Sequence, residues 1–428
     1  MSPREAFLPR LVGPRVSEAL EDEPVVLLHG PRQAGKTTLV QRCGDHDERT
    51  YITFDDDALR EAAAADPIGF VRSLPERVTL DEIQRVPELF TAIKAAVDGN
   101  RTPGRFLLTG SANVFAVPRL ADSLAGRMSV LRLYPLAQVE IERTVPTFID
   151  QAFSNAFSTR TGTNAPDDLA TRIVGGGYPP AVARTDPRRR ARWYRDYVTA
   201  VTQRDVRDLS RIAAFDALPR LMELASSQTA RLVNVAELAA PFALTRQTID
   251  AYVTLLRNVF LLDLLPAWHI NRLKRLVKAP KLHIGDTGLA AAVLGLDAHD
   301  MRSDRHLYGQ LVETFAFHEL RRHASGRTDD VRFAHYRDRD GYEVEIILER
   351  GGRQLVGIEV KAAATVRDRD FAGLRRFARA AGDRFTAGVV LYDGDALLPF
   401  GDRLYAVPIS DLWRASSQRD AVHAPIGR

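Results

Sequence analysis

Cysteine is nearly absent: Cys43 is the only one in 428 residues. An intramolecular disulfide and a cysteine-rich zinc site are both excluded, and a reducing, cytoplasmic setting is expected. Long apolar runs are missing as well. No stretch approaches the roughly 20 apolar residues of a membrane span, so no membrane partner is expected. The opening MSPREAFLPRLVG has charges and prolines where a secretion signal needs an apolar core. Lysine is scarce too. Among 59 basic residues only Lys36, Lys94, Lys274, Lys278, Lys281 and Lys361 are lysine. Arginine holds its proton, whereas lysine is a compact charge with a tunable pKa. A lysine inside a motif is therefore informative in this chain, and Lys36 and Lys361 both lie in one. The net charge of +4 and pI near 9.2 permit a nucleic-acid partner without showing one.

What is present begins with EPVVLLHGPRQAGKTTLVQRC. An apolar run from Val25 to Leu28 meets Gly30-x-x-x-x-Gly35-Lys36-Thr37, and a helical pattern follows. That is a complete phosphate-binding loop (P-loop) in its strand–loop–helix context. Gly30 and Gly35 let the backbone wrap an anion, and the loop Pro31-Arg32-Gln33-Ala34 and the helix start, with Thr38, surround the phosphates with their available N–H groups. Proline has no N–H, so Pro31 only shapes the turn. Lys36 reaches the β- and γ-phosphates of ATP, and the Thr37 hydroxyl is offered to Mg²⁺. A second strand, Val78 to Leu80, ends in Asp81-Glu82. Asp81 is placed to hold the Mg²⁺ shell and Glu82 to polarise the attacking water. A third, GRFLLTGS, ends in Ser111, a candidate sensor of the γ-phosphate. Arg127 in SLAGRM is a candidate arginine finger, acting on its own ATP or on that of a second copy in a homo-oligomer.

GPRQAGKTTL, TLDEIQRVPELF, LLTGSANV, LAGRM and GGYPPAV occur in this order. The chain thereby resembles the prokaryotic predicted-ATPase family, in which an AAA+ core precedes a C-terminal domain of unknown function. The resemblance covers nearly the whole sequence and implies binding and hydrolysis of ATP.

The middle of the chain is less specific. Gly175-Gly176-Gly177-Tyr178-Pro179 reads as a domain joint. The next segment is helical, with Arg188, Arg189, Arg190, Arg192 and Arg195 crowding its start. Such a row suits a phosphate backbone, or it pairs with Asp196, Asp205 and Asp208. Helix Val235 to Ala240, a helix capped by Thr245, and a strand at Leu261 to Leu265 form a winged-helix pattern. Ile249, Val253 and Leu256 should face the core, and Arg246, Gln247 and Asp250 should face out, toward DNA or another protein.

The last segment alternates. Val344, Ile346 and Leu348 are expected on one strand face, with Glu343, Glu345 and Glu349 on the other; Glu359 and Lys361 share a face of the next strand. Glu313 borders the apolar face of a preceding helix. Gathered, Glu313, Glu345 and Glu359 repel unless protonated or bound to a divalent cation, and Lys361 would orient a water. The order helix–three strands–helix–strand, with an acid followed by Glu-x-Lys, resembles the restriction-endonuclease-like superfamily. Glu313 matches its helix acid, Glu345 its central acid, and Glu359 and Lys361 its E-x-K. The central acid is usually Asp, and Glu345 is longer by about 1.5 Å.

The expected architecture is multidomain α/β. An AAA+ P-loop domain spans 1–140, a helical lid-like linker 141–215, a winged-helix region 216–270 and a nuclease-like domain 271–428. The leading reading is an ATPase whose cycle controls a nuclease-like or nucleic-acid-binding module. Its alternative is an ATP-dependent switch whose last domain is a binding platform.

Overall fold

The computed structural model describes residues 7–44, 49–112, 126–161, 168–206, 217–242, 244–271, 273, 275 and 278–414. Its first sheet has the order β2-β3-β4-β1-β5 and is parallel throughout, from β1 (Val25–His29), β2 (Thr50–Thr53), β3 (Val78–Asp81), β4 (Phe106–Gly110) and β5 (Met128–Arg132). β1, β3 and β4 are apolar with little alternation and buried on both faces, as a covered parallel sheet requires. β1 lies between β4 and β5, where the strand order switches direction. In such sheets the crevice beyond the strand ends at the switch point is the natural ligand site. The loop after β1 runs into the helix Lys36–Gly44 at that crevice.

The middle of the chain is helical and carries a small antiparallel sheet ordered β6-β8-β7: β6 (Arg231–Leu232), β7 (Leu262–Leu265) and β8 (Lys281–Ile284). Thr245 caps the helix Arg246–Asn258, its hydroxyl accepting from Thr248 N at 3.1 Å. Ile249, Val253 and Leu256 are buried, while Arg246, Gln247 and Asp250 are exposed. The sheet takes its central strand, β8, from beyond residue 270. The middle unit thus reaches into the segment expected to open the last domain.

The C-terminal sheet has the order β13-β14-β12-β11-β10-β9, built from β9 (Val331–Arg337), β10 (Glu343–Arg350), β11 (Gln354–Lys361), β12 (Phe385–Tyr392), β13 (Leu398–Pro399) and β14 (Leu404–Pro408). β9, β10 and β11 are antiparallel, and β12 joins β11 in parallel after the helix Ala372–Ala381. The 21-residue helix Arg305–Ser325 lies on the other face.

The expected alternation along β10 fails. Its register against β9 shifts between Val344 and Ile347. Val344 and Ile347 pack in the core with Phe377, whereas Ile346 and Leu348 pack in the core with Phe315. One extra residue in a strand is a β-bulge, which bends the strand and re-aims side chains. Val344 therefore does not share a face with Ile346 and Leu348. Among the described residues no helix is long and apolar enough to cross a membrane.

Candidate nucleotide site and a carboxylate–lysine cluster

The loop after β1 is shaped by its glycines. Gly30 lies so close to the strand-end backbone that a Cβ there would sit 2.1 Å from Leu133 O, and Gly35 has φ +97°. Lys36 is 4% exposed, and its ammonium folds back on its own loop, donating to Gly30 O and Pro31 O at 3.0 Å each. Thr37 Oγ1 donates to Asp81 Oδ2 at 2.9 Å. Asp81, at the end of β3, also accepts from Tyr51 OH at 2.6 Å and from Thr109 Oγ1. The residues expected to face the phosphates and the metal are thus brought together. Thr109 is the polar residue expected with Ser111 at the end of β4; Tyr51 was not anticipated, since its strand, Thr50–Thr53, has no apolar pattern to set it off.

Glu82 follows Asp81 in a left-handed conformation, φ 59°. It stands at the same crevice, and Ser111 Oγ donates to its carboxylate at 2.7 Å, joined by Gln84 Nε2. Burial alone would raise its pKa. The Lys36 ammonium, Ser111, Gln84 and Arg32 outweigh that and hold it below the usual carboxylate range. His29, the last residue of β1, is pushed down to about 4 by burial, then by Arg132 and Lys36, so its imidazole is neutral.

Arg127 is placed elsewhere. It pairs with Asp98 at 2.6 Å and immediately precedes β5, whose first residue, Met128, is level with Val25 at the start of β1. The length of β5, roughly 15 Å, separates it from its own P-loop, too far for an arginine side chain to span. Action on its own ATP does not fit this placement.

The P-loop is also held from behind by residues that sequence reasoning missed. Arg10 donates to Ala34 O and Tyr134 O, both at 2.6 Å, and pairs with Glu140 at 3.2 Å. Tyr197 OH donates to Arg32 O at 3.2 Å and contacts Tyr178 OH at 3.3 Å. The expected joint at Gly175 to Pro179 is seated against this loop. Leu136 N donates to Gly177 O at 2.6 Å, and Gly177 N to Asp286 Oδ2 at 2.9 Å. Asp286 is in turn paired with Arg322 at 3.0 Å, Arg322 with Glu319 at 2.6 Å, and Glu319 accepts from Gln138 N at 2.7 Å. Sequence separation hid these contacts.

In the C-terminal domain the bulge turns Glu345 so that Val360 N donates to its carboxylate at 3.3 Å. Lys361 pairs with Glu359 at 2.7 Å. Glu313 lies nearby, but its carboxylate is taken at 2.7 Å by Lys281, a buried residue of β8. Glu359 Oε2 is buried without a donor, which a proton shared with Glu345 satisfies. In line with this, burial and the Glu345 carboxylate raise Glu359 well above its ordinary value. For Glu345, burial is outweighed by the hydrogen bond from Glu359 and by Lys361 and Lys281, and its pKa is lowered. Burial pushes Glu313 up to about 7 against the pull of Lys281. With Glu313 ionised, two ammoniums, three carboxylates and one proton balance to zero charge. Among the described residues no group of three or more His, Cys, Asp and Glu is arranged to hold a metal ion. The expected metal set Glu313, Glu345 and Glu359 is in this form a lysine-neutralised cluster, because Lys281 and Lys361 engage two of its three acids.

Residues 22–142 match the family model of an AAA domain. Residues 166–300 match a domain of unknown function (DUF8612) and residues 308–412 another (DUF4143). With the parallel sheet and the complete loop, the first match defines the class: an AAA-type P-loop ATPase domain. Uncharacterized protein Rv2008c of Mycobacterium tuberculosis is 28% identical over 406 residues, covering 94% of this chain and 84% of its own. Among solved structures, the Walker-type ATPase of Pyrococcus abyssi is 16% identical with a TM-score of 0.40, covering 68% of this chain and 97% of that one. AMPPCP-bound DnaA from Aquifex aeolicus is 13% identical with a TM-score of 0.29, covering 59% and 90%. Scores this low fall short of a shared overall fold.

Proposed function

We propose that the chain binds ATP with Mg²⁺ at the loop 30–37 and hydrolyses it, and that the nucleotide state is passed through the helical middle to the C-terminal sheet. The observation carrying this reading is the convergence of Lys36, Thr37, Asp81 and Glu82 beyond the ends of β1 and β3. Thr37 and Asp81 supply adjacent hard oxygen donors, which suit Mg²⁺. When bound, that ion neutralises charge on the phosphate oxygens. Lys36 exchanges its two loop carbonyls for phosphate. Glu82, kept ionised, takes a proton from the attacking water once its carboxylate leaves Ser111 and Gln84. Ser111 then reports which partner Glu82 holds.

The test is phosphate release combined with calorimetric binding of a non-hydrolysable ATP analogue. Lys36→Ala should lose binding. Glu82→Gln should bind normally and release phosphate roughly 10²-fold more slowly or worse. Wild-type turnover in Glu82→Gln would remove Glu82 from this role.

For the C-terminal domain, the observation that Lys281 engages Glu313 favours the binding-platform reading over a preformed metal-dependent cleavage site. Titration with Mn²⁺, alongside a strand-break assay with ATP present and absent, separates the two. Tight Mn²⁺ binding with cleavage lost in Lys361→Ala would restore the nuclease reading.

A further inference from the structure

The helix Pro187–Ala200 has two unlike faces. Its inner face carries Tyr194, Tyr197 and Val198, all buried, with Trp193 stacked on Tyr197 at 5.3 Å. Its outer face carries Arg188, Arg192 and Arg195, all exposed. These stand at i, i+4 and i+7, a single stripe about 10 Å long, with the exposed Arg189 on its flank. Among the described side chains Arg188, Arg192 and Arg195 form no close ion pair, with Asp196 or another acid, although Asp186 at the helix start feels the charge of Arg188 and Arg189. Asp208 and the side chain of Asp205 lie outside what the structure describes.

We propose that this outer face docks duplex DNA through its phosphates. Three features select that occupant. Four exposed arginines, Arg188, Arg189, Arg192 and Arg195, face two exposed acids, Asp186 and Asp196, so the face keeps a net positive charge, complementary to a polyanion. Single-stranded nucleic acid is bound by stacking bases on exposed aromatic rings, and every aromatic ring of this helix is turned inward. A protein partner needs a desolvated apolar centre, and among the described residues none of the exposed large apolar side chains, such as Ile68, Val145 and Leu398, lies on this helix. What remains is a surface for a ligand that shows only phosphates. Contacts of that kind position a duplex without reading its sequence.

The same helix touches the nucleotide loop from its other side, through Tyr197 OH on Arg32 O at 3.2 Å. Duplex on one face and ATP on the other would therefore share one rigid element. This coupling rests on the ATPase reading; the docking itself does not.

Fluorescence anisotropy of a labelled duplex, without nucleotide and across a salt series, tests the docking with the full-length chain. Wild type should bind two duplexes of unrelated sequence alike, and more tightly than a single strand, an RNA hairpin or polyglutamate. Joint replacement of Arg188, Arg192 and Arg195 by Ala should weaken duplex binding by roughly an order of magnitude or more. It should also flatten the salt dependence by about 0.9 for each arginine removed. Joint replacement by Lys should keep most of the affinity. The proposal is overturned if wild type does not bind the duplex, if another competitor binds better, or if the alanine variant keeps both affinity and slope. Phosphate release measured without DNA reads the ATPase proposal alone. With duplex added, stimulation of release that disappears in Tyr197→Phe, while anisotropy is unchanged, would establish the coupling.

Discussion

Glu313 concentrates the energetic conflict of the C-terminal cluster in a single carboxylate. Burial raises its pKa to about 7, against an ordinary 4.5, although Lys281 is in contact. Between these values the folded chain holds a proton that the unfolded chain releases. The associated stability is fully present below 4.5 and is lost as pH rises through 7. A shift of this size corresponds to about 3 kcal/mol. Chemical denaturation from pH 5 to pH 8 should show wild-type stability falling by up to that amount. In Glu313→Gln the fall should be largely absent, because the amide mimics the protonated form; an unchanged pH slope would show that Glu313 is not the titrating group. Lys281 itself was within reach of sequence reasoning. In a chain so poor in lysine, one placed inside the apolar strand PKLHIG needs a buried partner.

At the scale of elements, local patterns were legible and their interruptions less so. The P-loop, the acidic end of β3 and the cap at Thr245 depend on neighbours a few residues away, and each appears where expected. Strand β10 misled because alternation was carried through a bulge. The sequence held a sign of it: in VEIILE two apolar residues, Ile346 and Ile347, stand side by side, which a half-buried strand does not need. The cap offers a clean measurement. Thr245→Ala should lower stability by about 1 kcal/mol, while Thr245→Asn should be close to neutral. Equal loss in both variants would mean that the Thr245 methyl, rather than its hydroxyl, matters.

Across the whole molecule, the parts are joined by buried charge that no sequence period marks. Asp286, Glu319 and Arg322 are buried together, from the middle region and from the long C-terminal helix, and they clasp Gly177 and Gln138. Removing one partner of such a group strands the others in a low-dielectric setting. Arg322→Met should cost about 3–5 kcal/mol, read as a lowered denaturation midpoint, and adding Glu319→Gln should recover part of it. No recovery would show that Arg322 acts through packing instead. A second such joint is Asp263. Burial would raise its pKa, but Arg132 of β5 and Arg321 of the long helix together hold it well below the carboxylate range.

The N-terminal arm gives this arrangement a consequence for synthesis. Arg10 needs Tyr134 and Glu140, and Arg15 donates to the carbonyl of Arg327. A ribosome that has reached residue 142 has polymerised the entire matched AAA segment, yet Tyr197, Asp286, Glu319 and Arg322 are still unmade. Arg10 can close on Tyr134 and Glu140 as soon as that segment is free, Tyr197 reaches the P-loop later, and Arg15 waits longest, for Arg327.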